Sequence, residues 1–244
     1  MSQRILFLAA ATARSKAYAQ ALAERGLEVD ACIIFDKPGS KQLGQGGAPS
    51  RPRERLGDIL LPDLSLALDE SCRQLGGVLS EIEAESINAP QVVTAVRQAA
   101  ADLIIFSGFG GQLVGEQLLA IGVPLLHNHA GWLPDYRGST TSYYSLLAEG
   151  SLGVSAIVLS AGIDTGTIVA RRRYPAPPPD VDIDYHYDSA IRAHLLTEVV
   201  SSWRAAGRFV ESIEQDTQAG ATYYVVHPVL KHLARLKLEE AASG

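Results

Sequence analysis

Asp102-Leu103-Ile104-Ile105-Phe106-Ser107 is apolar at four successive positions. It reads as a strand covered on both faces, the pattern of a central strand in a parallel sheet. Outward from it, Arg4 to Ala10 is a second short apolar run, and a helical pattern follows from Ser15 to Arg25 with Gly26 as its C-terminal cap. Val29 to Phe35 and Val123 to His129 read as further strands, and Pro90 to Ala100 as a helix. Strands alternating with helices predict βαβ units. The expected class is therefore α/β, a mostly parallel twisted sheet with helices on both faces. Ligands of such sheets collect at the carboxyl ends of the strands.

A chain of 244 residues with 47% hydrophobic content can bury one sizeable core. We expect one domain over residues 1–206, with residues 207–244 as an extension packed on it. The formal charge of -6 and the pI near 5.5 leave no basic field for a phosphate backbone, so nucleic acid is not an expected partner. No run approaches the ~18–20 apolar residues of a membrane span, and the N-terminus lacks a leader pattern. A cytoplasmic protein with no membrane partner is expected. Cys32 and Cys72 have no Cys or His at ligand spacing and read as ordinary thiols. Between Asp36 and Asp63 a Gly-, Pro- and Arg-rich segment reads as a long loop, either disordered or a lid. A helix from about Tyr187 to Ala206 is expected, then a hairpin and a final helix after Pro228.

The richest stretch chemically is Leu125 to Gly138, LLHNHAGWLPDYRG. A strand leaves the core there and enters a Gly/Pro-bounded loop. Alternation along the strand puts His127 and His129 on one face and Asn128 on the other. A second constellation, Ala161 to Ile168, holds Asp164 in a glycine-bounded turn. An Asp beside a His can move protons or orient the ring. The same His-x-His with a distant Asp also fits three ligands of a metal-dependent hydrolase. Arg14 and Lys16, near a helix start, could meet an anion or solvent. Arg137 could bind a substrate anion or pin its loop, and Asp188 could cap a helix or hold an amine.

HNHAGWLPDYRG followed by GIDTGTI resembles the signature of the folate-dependent formyltransferases. These include the glycinamide ribonucleotide transformylases, the methionyl-tRNA formyltransferases and the nucleotide-sugar N-formyltransferases. His129, Leu133, Pro134, Arg137, Gly138 and Asp164 match, and the likeness runs from about Asp102 to Tyr174. It implies a Rossmann-like formyltransferase fold, 10-formyltetrahydrofolate as formyl donor, a small-molecule amine such as an amino sugar or secondary-metabolite precursor as acceptor, and no metal. By the same resemblance His129 donates to the oxyanion of a tetrahedral intermediate, and Asp164 moves the amine proton. Phe109, Gly110, Gly111, Gln112 and Leu113, with Gly162, would meet the pterin; Arg14, Arg137 and Asp188 would meet the acceptor. The methionyl-tRNA enzymes carry an additional C-terminal domain, whereas only about 70 residues follow Tyr174 here.

One position departs from the pattern. The family's Asn falls on His127. Either His127 replaces the amide as a donor, or the strand bulges to turn Asn128 inward. A degenerate homologue that binds folate without turnover is the non-enzyme alternative. Nothing in the sequence sets an oligomeric state.

Overall fold

The computed structural model describes residues 3–37, 54–216 and 218–243. Its main sheet has seven strands in the order β10-β9-β7-β6-β1-β2-β5. Five of them run parallel: β1 (Ile5–Ala9), β2 (Ala31–Asp36), β5 (Val78–Glu83), β6 (Leu103–Ser107) and β7 (Leu125–His129). The last two, β9 (Ser151–Val158) and β10 (Thr167–Pro175), are antiparallel. This is the expected α/β class with a mostly parallel sheet.

Alternation along the strands divides the core in two. Ile5, Phe7, Leu103 and Ile105 pack into one layer with Tyr18 and Leu22 of α1 (Ala13–Glu24) and Leu195 and Leu196 of α6 (Asp188–Ala206). Leu6, Leu8, Ile104 and Phe106 pack into the other with Val92, Val93 and Val96 of α3 (Pro90–Ala99) and Leu118 of α4 (Glu116–Leu119). Helices thus cover both faces. α1 is capped by Thr12, whose Oγ1 accepts from the Ser15 N–H at 3.1 Å, satisfying one of the orphan donors of its first turn. α2 (Leu68–Arg73) and α5 (Thr141–Glu149) complete the layers before the C-terminal α7 (Pro228–Ser243).

Two expectations are corrected, and the helix expected from about Tyr187 to Ala206 is present over Asp188–Ala206. Among the described residues no hairpin follows α6: β11 (Ala221–Tyr223) instead pairs in parallel with β8 (Tyr136–Gly138). Tyr223 stacks on Tyr136 with ring centroids 5.3 Å apart, and a side chain on Gly138 would strike the Tyr223 carbonyl. The helix expected from Tyr187 is preceded by a single π-helical turn, Ile183–Tyr187, capped by Asp182, which accepts from the Tyr185 N–H at 2.7 Å. Part of the expected 36–63 loop is the hairpin β3 (Glu54–Leu56) and β4 (Ile59–Leu61), whose Ile59, Leu60 and Leu61 are buried in the core. Residues 38–53 lie outside the described residues. Cys32 and Cys72 are buried free thiols. Among the described residues no helix is long and apolar enough to cross a membrane.

Candidate active site

β7 ends the run of parallel strands and presents His127 and His129 on one face. Its pairing with β9 is in continuous register from Leu126 to His129, so no bulge turns Asn128 inward. Asn128 lies on the opposite face, fully buried, with Nδ2 donating to the Arg192 carbonyl at 2.7 Å. Its expected place at the reacting centre is corrected on that ground. His127, His129 and Asp164 do come together: one ligand atom of each lies within 4.8 Å of the others.

His129 Nε2 meets the Tyr136 carbonyl at 2.7 Å, and since a carbonyl only accepts, that nitrogen carries a proton. Nδ1 therefore faces Asp164 Oδ1, 3.4 Å away, with a lone pair unless the ring is charged. Burial pushes the His129 pKa down, against the pull of Asp164. His127 is held well below its usual value by burial, then by Arg14 and Arg192, so it is neutral at physiological pH. Its Nδ1 is buried without a hydrogen-bond partner.

Asp164 sits at φ +53, the left-handed region that a short polar residue tolerates better than most. Its Oδ2 accepts from the Gly138 N–H at 2.8 Å, tying the two loops together. Gly162 is needed in the turn because a Cβ there would lie 2.3 Å from Thr165 Oγ1. Gly131 is needed likewise, since a Cβ would lie 2.6 Å from His129 Nε2. Ser155 of β9 fixes the loop after His129, donating to the Gly131 carbonyl at 2.7 Å and accepting from the Leu133 N–H at 2.9 Å.

Two guanidinium groups border the histidines. Arg14 Nε donates to Ser107 Oγ at 3.1 Å and Nη2 to the Gly108 carbonyl; burial and the neighbouring Arg192 bring its pKa down to about 10. Arg192, which sequence reasoning passed over as a site residue, pairs with Asp188 at 3.0 Å. Asp188 also accepts from Ser142 Oγ at 2.6 Å, so it is a partner of side chains rather than a helix cap. Lys16 is spent on the Leu64 carbonyl at 2.8 Å. Arg137 is 6% exposed, with Nη2 donating to the Asp216 carbonyl at 2.8 Å. That burial withdraws it from substrate and makes it the pin of the C-terminal segment.

The segment before β11 holds further residues that sequence reasoning missed. Gln215 Nε2 donates to the carbonyls of Asp164 at 2.8 Å and Gly166 at 2.6 Å, spanning the turn that carries the acid. Ile213 exchanges two backbone hydrogen bonds with Ile168, and Glu214 accepts from Thr167 Oγ1 at 2.7 Å. No local pattern marks these residues, because their partners lie about 50 positions away.

After β6, Gly110 and Gly111 face open space, Leu113 is 56% exposed, and Phe109 stands edge-on to Phe35. Gln112 is turned away from this opening. Its Nε2 donates to the Glu85 carbonyl at 2.7 Å, so its side chain anchors the neighbouring loop and only its backbone remains for a ligand.

A model of the formyl transferase family matches residues 3–189. The methionyl-tRNA formyltransferase of Trichlorobacter lovleyi is 31% identical over 137 residues, which is 54% of this chain and 42% of that protein. The methionyl-tRNA formyltransferase of Geobacter sulfurreducens is 28% identical over 200 residues, 80% of this chain and 56% of that protein. The chain thus spans about half the length of the curated relatives it matches. Their names leave the expected exclusion of nucleic acid without support. Among solved structures, the phosphoribosylglycinamide formyltransferase of Streptococcus pneumoniae matches with a TM-score of 0.55 at 21% identity, covering 82% of this chain and 98% of that one. A sugar N-formyltransferase from Shewanella matches at 0.58 and 14%, covering 98% and 88%. At these identities the two structures show the shared fold.

Proposed function

The chain belongs to the formyl transferase family, and on that premise we propose that it transfers a formyl group from 10-formyltetrahydrofolate to the amine of a small molecule, acting in the cytoplasm. The observation that carries this reading is the pair of buried His129 and half-buried Asp164, 3.4 Å apart within the matched segment and beside His127.

The donor supplies an activated formyl carbon. In the reaction a C–N bond forms to the acceptor amine, the bond to the folate N10 breaks, and N10 takes a proton as it leaves. Asp164 and His129 receive the proton that the attacking amine loses; once protonated on Nδ1, His129 is an imidazolium held by Asp164. His127, neutral, gives an N–H to the oxyanion without bringing a charge of its own. Such a preorganised donor is worth about 10²–10³ in rate. The family's Asn plays its part here through a larger ring. Gly110, Gly111 and the backbone of Gln112 would hold the pterin, with Phe109, Leu113 and Gly162 shaping its pocket. Asp188 suits an ammonium on the acceptor, and Arg14 an anionic group. The charge of -6 favours a small acceptor over a tRNA.

Calorimetric titration with a stable reduced-folate analogue, followed by single-turnover assays on a panel of amines, tests the reading. Binding should be saturable and survive Asp164→Ala, while formyl transfer in that variant should fall about 10³-fold, the scale of losing an acid–base group. Absence of binding at millimolar analogue would overturn it.

A further inference from the structure

We propose that His127, His129 and Asp164 also form a three-ligand site for a divalent transition ion of the zinc type, and that an ion bound there blocks the reacting centre. The ion site goes beyond formyl transfer and stands without it; that an ion there blocks the reacting centre rests on that reading.

Three observations carry the proposal. The donor set is two imidazoles and a carboxylate, the N/O combination that zinc takes when one coordination position is left open, and their ligand atoms already lie within 4.8 Å of one another. Tetrahedral bonds of about 2.0–2.1 Å place ligand atoms roughly 3.3–3.5 Å apart, so side-chain shifts of about an ångström complete the site. Next, His129 Nδ1 and Asp164 Oδ1 face each other at 3.4 Å with Nε2 already protonated on the Tyr136 carbonyl. In the neutral ring this sets a lone pair against a carboxylate oxygen. A proton or a cation between them would turn that contact favourable. Finally, the outer partners are those of a metal site. Ligating histidines hand their other ring N–H to a carbonyl or carboxylate, as His129 does to Tyr136, and ligating carboxylates are themselves hydrogen-bonded, as Asp164 Oδ2 is by the Gly138 N–H.

His127 makes the site. An amide in its place would leave one imidazole and one carboxylate, too few for tight zinc binding. Its Nδ1 is buried without a hydrogen-bond partner, and a neutral imidazole is the form that binds metal. Arg14 and Arg192 oppose a second cation, and Asp188 offsets part of their charge. The balance points to reversible occupancy rather than a permanent structural ion, and the ion would sit where the proposed function places the reacting carbonyl.

Chelator-stripped protein titrated calorimetrically with zinc chloride should show one-to-one binding. His127→Asn and Asp164→Asn, each checked for folding by circular dichroism, should weaken it by more than the 10–100-fold typical of losing an outer partner. Zinc K-edge absorption of the loaded wild-type protein should show scattering from two imidazole rings, a readout that needs no variant to fold. No saturable binding, binding indifferent to both substitutions, or a zinc shell without imidazole would each overturn the proposal. Failure of the metal-free protein to transfer formyl would instead overturn the transfer reading and leave this site standing.

Discussion

The parallel strands β5, β2, β1, β6 and β7 and the antiparallel edge of β9, β10 and the segment 213–223 are held by different means. The inner parallel strands are largely apolar: Ile5, Leu6, Phe7, Leu8, Leu103 and Ile105 are all completely buried, and hydrophobic burial is the main source of their order, while β5 at the sheet edge is mostly exposed. The antiparallel edge is stitched by polar bonds between distant residues, among them Gln215 to Asp164, Arg137 to Asp216, and Ser155 to Gly131 and Leu133. One region supplies stability and brings the histidines; the other sets the acid and the loop against them. If that division is right, substitutions in the two regions should separate stability from rate.

The largest effect belongs to the parallel region. Phe7 is 0% exposed at the centre of the sheet, and Phe7→Ala should cost about 3–5 kcal/mol from lost transfer energy and the cavity left behind. Urea unfolding measures the loss. Activity per folded molecule should stay at the wild-type level; a fall in rate beyond the unfolded fraction would break the division between the regions.

A smaller effect is expected at the other edge. Gln215→Ala removes both hydrogen bonds that hold the left-handed turn of Asp164. Misplacing a reacting group by about an ångström can cost roughly 100-fold in rate. With Oδ2 still held by Gly138, we expect about a tenfold loss of kcat, which is about 1.4 kcal/mol. KM should change little and the unfolding midpoint hardly move. A loss of stability with kcat intact would make Gln215 a strut of the C-terminal segment alone.

The same division explains what could be read from the sequence. The strands Leu103–Ser107 and Ile5–Ala9 announce themselves because burial on two faces leaves a continuous apolar run. His127, His129 and Asp164 were legible because motif and alternation are local. Arg192 was not: its role depends on α6 lying across α1 and β7, which no residue near it encodes. Gln215 was not singled out, and Arg137 was left between a substrate anion and a loop pin, for a related reason. Each makes its contact with a segment some 50 to 80 residues away, and a buried Arg on a three-residue strand looks in sequence like any arginine in a turn. A hairpin was expected after α6, whereas the partner of β11 is β8, fixed by the Tyr136–Tyr223 stack and the bare Gly138.

The smallest predicted effect follows from the place where the two regions meet. His127 and His129 are both depressed below the usual 6.5, chiefly by burial, and His194, buried beside Tyr174, shifts the same way for the same first cause. A His that is neutral in the fold binds fewer protons than it does unfolded once the pH drops below 6.5. Stability therefore falls as pH decreases from 6.5 toward the folded pKa, and above 6.5 this contribution is constant. Each such group contributes at most about 1.4 kcal/mol per pH unit. Between pH 6.5 and 5.5, above the carboxylate range, the wild-type protein should lose stability in urea faster than His127→Asn, which removes one titrating ring. Equal slopes would mean that His127 is solvated enough to titrate normally. The polar seam between the parallel strands and the antiparallel edge would then be wetter than its buried, unpartnered Nδ1 implies.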